Sequence, residues 1–325
     1  MSRFADFGNA LYSGQRSFDF IGRRVYGFVA SIIVALLAVG ITFGLNHGFN
    51  FGIEFKGGSQ FEVNTSAANS EVIAANAVHT VLPASAQVNV AHVGTSGLRV
   101  QTEKLDANTS EKVRQAIAAG FKVEGNQVAS SFVGANWGTD VTQKAFSGLI
   151  WFIVLAAIAM ALYFRTLKMS AAALIALAHD LVITAAVYGA FGFEVTPAAV
   201  IGFLTILGYS LYDTVVVFDK IRENTHEVEF SQSATFAERV NLAINQTLVR
   251  SINTSIVAVL PVAAILFIGT LLLGAGTLRD ISLALFIGII VGTYSTIFVA
   301  APLYSMFREN EPKFAKAAAK VLAAR

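Results

Sequence analysis

The stretch from Val195 to Phe218 reads VTPAAVIGFLTILGYSLYDTVVVF, and Asp213 is its one formally charged residue. At 1.5 Å per residue such a helix crosses a hydrocarbon core of about 30 Å. An aspartate inside it costs roughly 2.5–3.5 kcal/mol on insertion scales and so faces a bundle interior or a wet cavity. Asp219 opens the following link six residues later, or about 9 Å along the helix. Asp213 is therefore set within the membrane, toward the side of that link. Ser210 and Tyr209, at i−3 and i−4, share its face and are candidate hydrogen-bond partners.

Five further apolar stretches flank this one, at residues 25–45, 144–164, 169–193, 251–273 and 281–307. The composition agrees: 55% hydrophobic against 14% charged, where soluble domains carry roughly 25% charged residues. The fold class expected is a polytopic α-helical membrane protein with six transmembrane helices. A net charge of +2 argues against a nucleic-acid binder, whose affinity rests on phosphate neutralisation. With no cysteine, disulfides, thiolate catalysis and cysteine-based metal sites are excluded.

Fifteen of the 23 Lys and Arg residues fall in segments 1–24, the link holding Arg165 and Lys168, segment 219–250 and the tail 308–325. The two short links opposite hold only Arg279. By the positive-inside bias both termini are cytoplasmic. The first span, preceded by arginines, is too long for a cleaved signal and reads as a retained anchor. In segment 219–250, Ser233–Thr247 reads as an amphipathic helix lying along the membrane surface.

Residues 46–143 then form the extracytoplasmic domain. The pattern reads strand 60–64, helix 69–82, strand 87–93, strand 98–103, helix 110–119 and strand 128–133, with a hairpin turn at 94–97. The order βαββαβ is the ferredoxin-like split arrangement of a small α+β domain. His79 and His92 have no carboxylate at ligand spacing, so no metal site and no cofactor are expected. No nucleophile elbow or phosphate loop is present. The domain reads as a binding or lever module.

Span three places Asp180 and Thr184 at i and i+4, a short polar stripe that relays protons or simply bonds neighbouring helices. His179, about 100° away, is expected to pack elsewhere. Arg250, Asn253 and Thr254 share one face at the start of span five. A permanently charged arginine can modulate a carboxylate but cannot carry a proton; the alternative is an ordinary cytoplasmic-edge cation. Gly288, Gly292 and Thr296 make a small-residue stripe suited to close helix packing. Gly52, Gly57 and Gly58, around Glu54, mark the joint between span one and the first strand: a hinge, or a static turn.

Four motifs carry a family resemblance. Residues 51–58, FGIEFKGG, are similar to G-[IL]-D-F-x-G-G, with Glu54 where aspartate is usual. Residues 176–180, ALAHD, match A-L-x-H-D, and residues 208–224, GYSLYDTVVVFDKIREN, match a long span-four signature. Residues 246–255, QTLVRSINTS, introduce span five in the same style. Together they resemble the SecF family of bacterial protein-export subunits, in the resistance-nodulation-division (RND) superfamily. At residues 133–138, VGANWG, a proline usual in the family is missing. No second set of six spans is present, so the resemblance is to SecF alone, an RND-like half.

The resemblance implies a subunit of the bacterial inner membrane that pairs with SecD in a pseudo-symmetric twelve-span unit. It implies further partners: the SecYEG channel, YajC, indirectly the ATPase SecA, unfolded preproteins in transit, and membrane lipids. It implies no enzyme chemistry of its own, but use of the proton-motive force late in export, with Asp213 the first candidate proton carrier, then Asp180, with Arg250 coupled. A structural ion pair is the alternative for Asp213. The competing functions are a half-size RND exporter of small molecules or lipids and a non-transporting membrane scaffold.

Overall fold

In the computed structural model, residues 3–324 are described except 47, 66–68, 94–96, 165, 227–233 and 270–275. Six helices among the described residues are long and apolar enough to cross a membrane. They are α2 (Arg24–Gly44), α6 (Ala135–Phe164), α7 (Leu167–Ala190), α8 (Pro197–Thr225), α9 (Phe236–Ala264) and α10 (Gly276–Ser295). A π-helical turn prolongs α9 through Ile265–Gly269. Another, Thr296–Ala300, joins α10 to α11 (Ala301–Arg308) just before Pro302. Such turns relieve a ladder that proline interrupts. Helix starts follow local chemistry. The Thr196 hydroxyl accepts from the Ala199 amide at 3.2 Å, and Pro197 fills the first helical position of α8.

Helices α7, α8 and α10 form the interior, while α2 and α6 leave most of their apolar side chains outward. The contact of α8 with α10 is tight because glycine removes side chains there. A Cβ on Gly202 would lie 2.6 Å from that of Ala284, and one on Gly288 would collide with Ile206.

Between α2 and α6 lies the α+β domain. Its sheet runs β3 (Val88–Val93), β4 (Gly97–Thr102), β2 (Gly58–Asn64), β5 (Val128–Val133), all antiparallel. Helices α4 (Ser70–His79) and α5 (Ala107–Phe121) cover one face. Phe61, Val63, Leu98 and Val100 point inward beneath them, with Val78 and Ile117. The alternate residues Gln60, Glu62, Arg99 and Gln101 line the other face, as a period of two requires. This is the split βαββαβ order. The predicted hairpin turn at 94–97 falls largely outside the described residues. Helix α5 begins at Ala107, earlier than the sequence suggests, because the Asp106 carboxylate accepts from the amides of Asn108 and Thr109, each at 3.0 Å. His92 stands 3.5 Å from Glu71, a carboxylate that sequence spacing does not reveal.

The joint between the domain and the bundle holds short elements that are unforeseen. Strand β1 (Asn50–Phe51) pairs in parallel with β6 (Glu194–Val195), closing a seam between the exit of α2 and the α7–α8 connection. Helix α3 (Ile53–Lys56) then turns into β2.

The amphipathic stretch differs from expectation. It is the first part of α9, continuous with the fifth span and opened by a capping box between Thr235 and Glu238. Its apolar side, Phe236, Val240, Ala243 and Ile244, is 0–2% exposed and meets protein: Phe218, Ile221, Tyr304 and Phe314 share its cluster. Helices α1 (Arg3–Tyr12) and α12 (Pro312–Ala323) close this end of the bundle, opposite the domain.

Candidate functional site

Asp213 is 4% exposed on α8. Its Oδ1 accepts a hydrogen bond from the Ser251 hydroxyl of α9 at 2.9 Å. Its Oδ2 is buried with no hydrogen-bond partner among the described residues. A buried carboxylate that keeps one free oxygen is costly unless it takes up a proton or meets water or a further partner. Beside it, the hydroxyls of Thr214 and Thr296 lie 3.1 Å apart, joining α8 to the π turn after α10.

Asp180, on α7, is fully buried. Its Oδ2 accepts from the Ser210 hydroxyl of α8. Its Oδ1 lies 3.1 Å from His179 Nδ1. The His179 ring stacks on Tyr294 of α10, with centroids 6.5 Å apart and planes at 25°. Tyr294 in turn donates to the Gly27 carbonyl of α2 at 2.8 Å. His179 Nε2 and the Thr184 hydroxyl are buried without partners among the described residues. Gly292 leaves the room this arrangement needs: a Cβ there would lie 3.0 Å from that of Ser210 and 3.6 Å from Asp180 Oδ2.

A line of hydroxyls joins these helices. Tyr209 donates to Ser255 at 3.4 Å, Ser255 lies 2.5 Å from the Thr293 hydroxyl, and it also donates to the Ser251 carbonyl at 2.8 Å. These hydroxyls tie α8, α9 and α10 together beside Ser251, the residue that bonds Asp213. Among the described residues no three His, Cys, Asp or Glu side chains are grouped to hold a metal ion.

Several sequence expectations change here. Ser210 serves Asp180 and Tyr209 serves Ser255; neither bonds Asp213. Adjacent residues on a helix start about 100° apart, yet His179 reaches Asp180, because its ring swings toward Tyr294. The face of α9 that turns inward is Ser251–Ser255, one residue past the predicted Arg250–Asn253–Thr254 face. Arg250 and Asn253 are exposed. Arg250 makes a 3.5 Å contact with the exposed Tyr212, and Thr254 donates to the Arg250 carbonyl at 2.8 Å. The partner sequence reasoning missed is Ser251, whose i, i+4 pairing with Ser255 was the available signal.

The glycine corner is built tightly. Gly57 and Gly58 have φ of 76° and 153°, and a Cβ on Gly58 would lie 2.6 Å from the Thr102 carbonyl, so only glycine fits. Gly52 has an ordinary φ of −63°, and its amide donates to the Val195 carbonyl across the seam at 2.9 Å. Glu54 Oε2 is buried without a hydrogen-bond partner among the described residues.

The profile described as "Protein export membrane protein SecD/SecF, C-terminal" matches residues 112–310, and the "SecD/SecF GG Motif" matches residues 34–68. The chain belongs to the SecD/SecF family. Protein translocase subunit SecF of Streptomyces coelicolor is 41% identical, covering 100% of this chain and 86% of that protein. SecF of Mycobacterium tuberculosis is 41% identical over 94% of this chain and 70% of its own length. The crystal structure of Thermus thermophilus SecDF superposes with a TM-score of 0.77 at 31% identity. That match covers 91% of this chain and 39% of SecDF. Membership makes this a multi-pass membrane protein of protein export, and sets Asp180 and Asp213 within the helices that the SecD/SecF profile spans.

Proposed function

We propose that the chain is the SecF-type subunit of a Sec translocase accessory complex, paired with SecD, that uses the proton-motive force to draw exported chains outward. Asp213 carries this reading: a carboxylate buried in a membrane helix with one oxygen bonded by Ser251 and the other without a partner among the described residues. The unengaged oxygen is the place where a proton can be taken up. Asp180, linked to α8 through Ser210, is the second site of the path, and Tyr209 supports it from the side by holding α8 to α9 through Ser255. Arg250, with Tyr212 and Asn253, lies on a face open to a neighbouring subunit, which suits a cation acting across the SecD interface. Both termini are cytoplasmic in this reading, and the α+β domain stands outside as the lever. Gly57 and Gly58 form its corner, with Gly52 and Glu54 beside it. Force and protons are what the subunit handles; it catalyses no covalent reaction. Its wider setting is the inner membrane, with SecYEG, YajC, SecA and the preprotein.

The test is export into inverted membrane vesicles with and without a proton gradient. Asp213→Asn keeps size and hydrogen bonding but cannot cycle charge. Loss of the gradient-dependent stimulation, with membrane insertion and SecD association unchanged, is the expected result. Wild-type stimulation would favour a scaffold.

A further inference from the structure

The polar face of the sheet meets the bundle at the seam strand β6. Glu194, in the seam strand β6, accepts from Gln101 Nε2 at 2.7 Å and stands 3.7 Å from the Arg99 guanidinium. Both partners project from β4, on the face away from α4 and α5. They are held in place by their neighbours on β2: Arg99 bonds Glu62 at 3.0 Å, and Gln101 bonds Gln60 at 3.2 Å. The Arg99 and Glu194 side chains are 18% and 16% exposed, shielded enough for the pair to be weakly screened by salt.

Glu194 is also tied to the proton-path helices. Thr196, two residues on, donates to the Asp280 carboxylate of α10 at 2.8 Å while capping α8. Tyr188 of α7 donates to the Asp280 carbonyl at 2.9 Å. Tyr188, Thr184 and Asp180 follow one another at i+8, i+4 and i, a single buried face of α7 about 12 Å long. A shift of α7 against α8 and α10, on a change at Asp180, therefore reaches the support on which Glu194 sits.

We propose that Arg99, Gln101 and Glu194 form a clasp that holds the external domain on the membrane bundle, and that this clasp opens in each working cycle. The three are positioning residues: they touch neither proton site, and they set whether the domain is docked or free. The apolar core of the domain, around Phe61 and Val100, is separate from the clusters of the bundle. The domain can thus leave its dock without exposing that core, by exchanging a few polar contacts for water. The inference rests on the proposed coupling of domain movement to export.

The chain has no native cysteine, so a pair is unambiguous. Gln101→Cys with Glu194→Cys, bridged by a short bis-methanethiosulfonate reagent, restores a covalent clasp that reductant removes. The bridged full-length protein, with SecD, is expected to lose gradient-stimulated export, and reductant to restore it to the level before bridging. Bridged protein that exports like unbridged protein overturns the clasp. A second arm uses a double-mutant cycle. Gln101→Ala and Glu194→Ala singly should each raise hydrogen exchange at β4 and lower export, and the two together should cost little more than either alone. Full additivity, with the domain still protected at β2, also overturns it. Asp213→Asn is run alongside. If it exports as wild type, the proton reading fails, while the bridge still reports whether the clasp must open. If it abolishes stimulation and the bridge has no effect, the clasp alone falls.

Discussion

Ser210 gives its hydroxyl to Asp180 across the α7–α8 contact, although it sits on α8 one turn from Asp213. One helix thus touches both carboxylates, one through a hydroxyl and one as its own side chain. Ser210→Ala leaves Asp180 with His179 as its remaining named partner. Leaving a buried acceptor short of a partner costs about 1–3 kcal/mol. Thermal unfolding of the full-length protein in detergent should register it, with Ser210→Thr retaining much of the stability.

Ser251 is expected to matter to Asp213 more than Arg250 does within this chain. Ser251→Ala removes the hydrogen bond to Oδ1. Gradient-dependent stimulation of export should fall several-fold, while gradient-independent export persists. Equal loss of both would show that the hydroxyl supports folding.

Gly292→Ala places a methyl carbon 3.0 Å from Ser210 Cβ and 3.1 Å from its Oγ. Overpacking of this size costs about 1–3 kcal/mol. The variant should show a lower unfolding temperature and a disturbed Ser210–Asp180 bond, seen as a weaker additional effect of Ser210→Ala in the double mutant.

The domain should have an acid-sensitive helix. Hydrogen bonds from Arg114 and then Gln115 pull the Glu111 carboxyl down to about 2 from its ordinary 4.5. A depressed value means stability present above about pH 4.5 and lost as pH falls toward 2. In hydrogen exchange of α5, wild type should be better protected than Glu111→Gln at pH 6, and the difference should vanish near pH 2. A difference independent of pH would remove the charge from the explanation.

Much of this architecture is written in the chain. Uncharged apolar runs, isolated aspartates and the alternation in β2 and β4 each follow from local solvent preference, so the spans, Asp180, Asp213 and the βαββαβ order were readable. What pairs with what was not. Ser210 faces both α7 and α9 in principle, and the choice depends on how closely Gly292 lets α10 approach. The rotation of α9 that turns Ser251 inward and Arg250 outward is fixed by packing around Leu248 and Ser255, not by spacing within the helix. No glycine or proline separates Phe236 from Leu260, yet the change from polar to apolar character there reads as a boundary between two helices. A two-residue strand such as β1 carries no periodicity at all, and its partner is remote.

That remoteness has a consequence for biosynthesis. Asn50 pairs with Glu194, so the seam cannot close until the ribosome has made the α+β domain, α6 and α7. At about 5–20 residues per second the waiting time is roughly 7–30 s. During this interval the domain, whose sheet needs nothing beyond Val133, is free to form first. A nascent chain halted before Glu194 should then show protected amides in β2 and β4 while those of Asn50 and Phe51 still exchange. Synthesis order thereby delivers a finished domain to a bundle that is still incomplete.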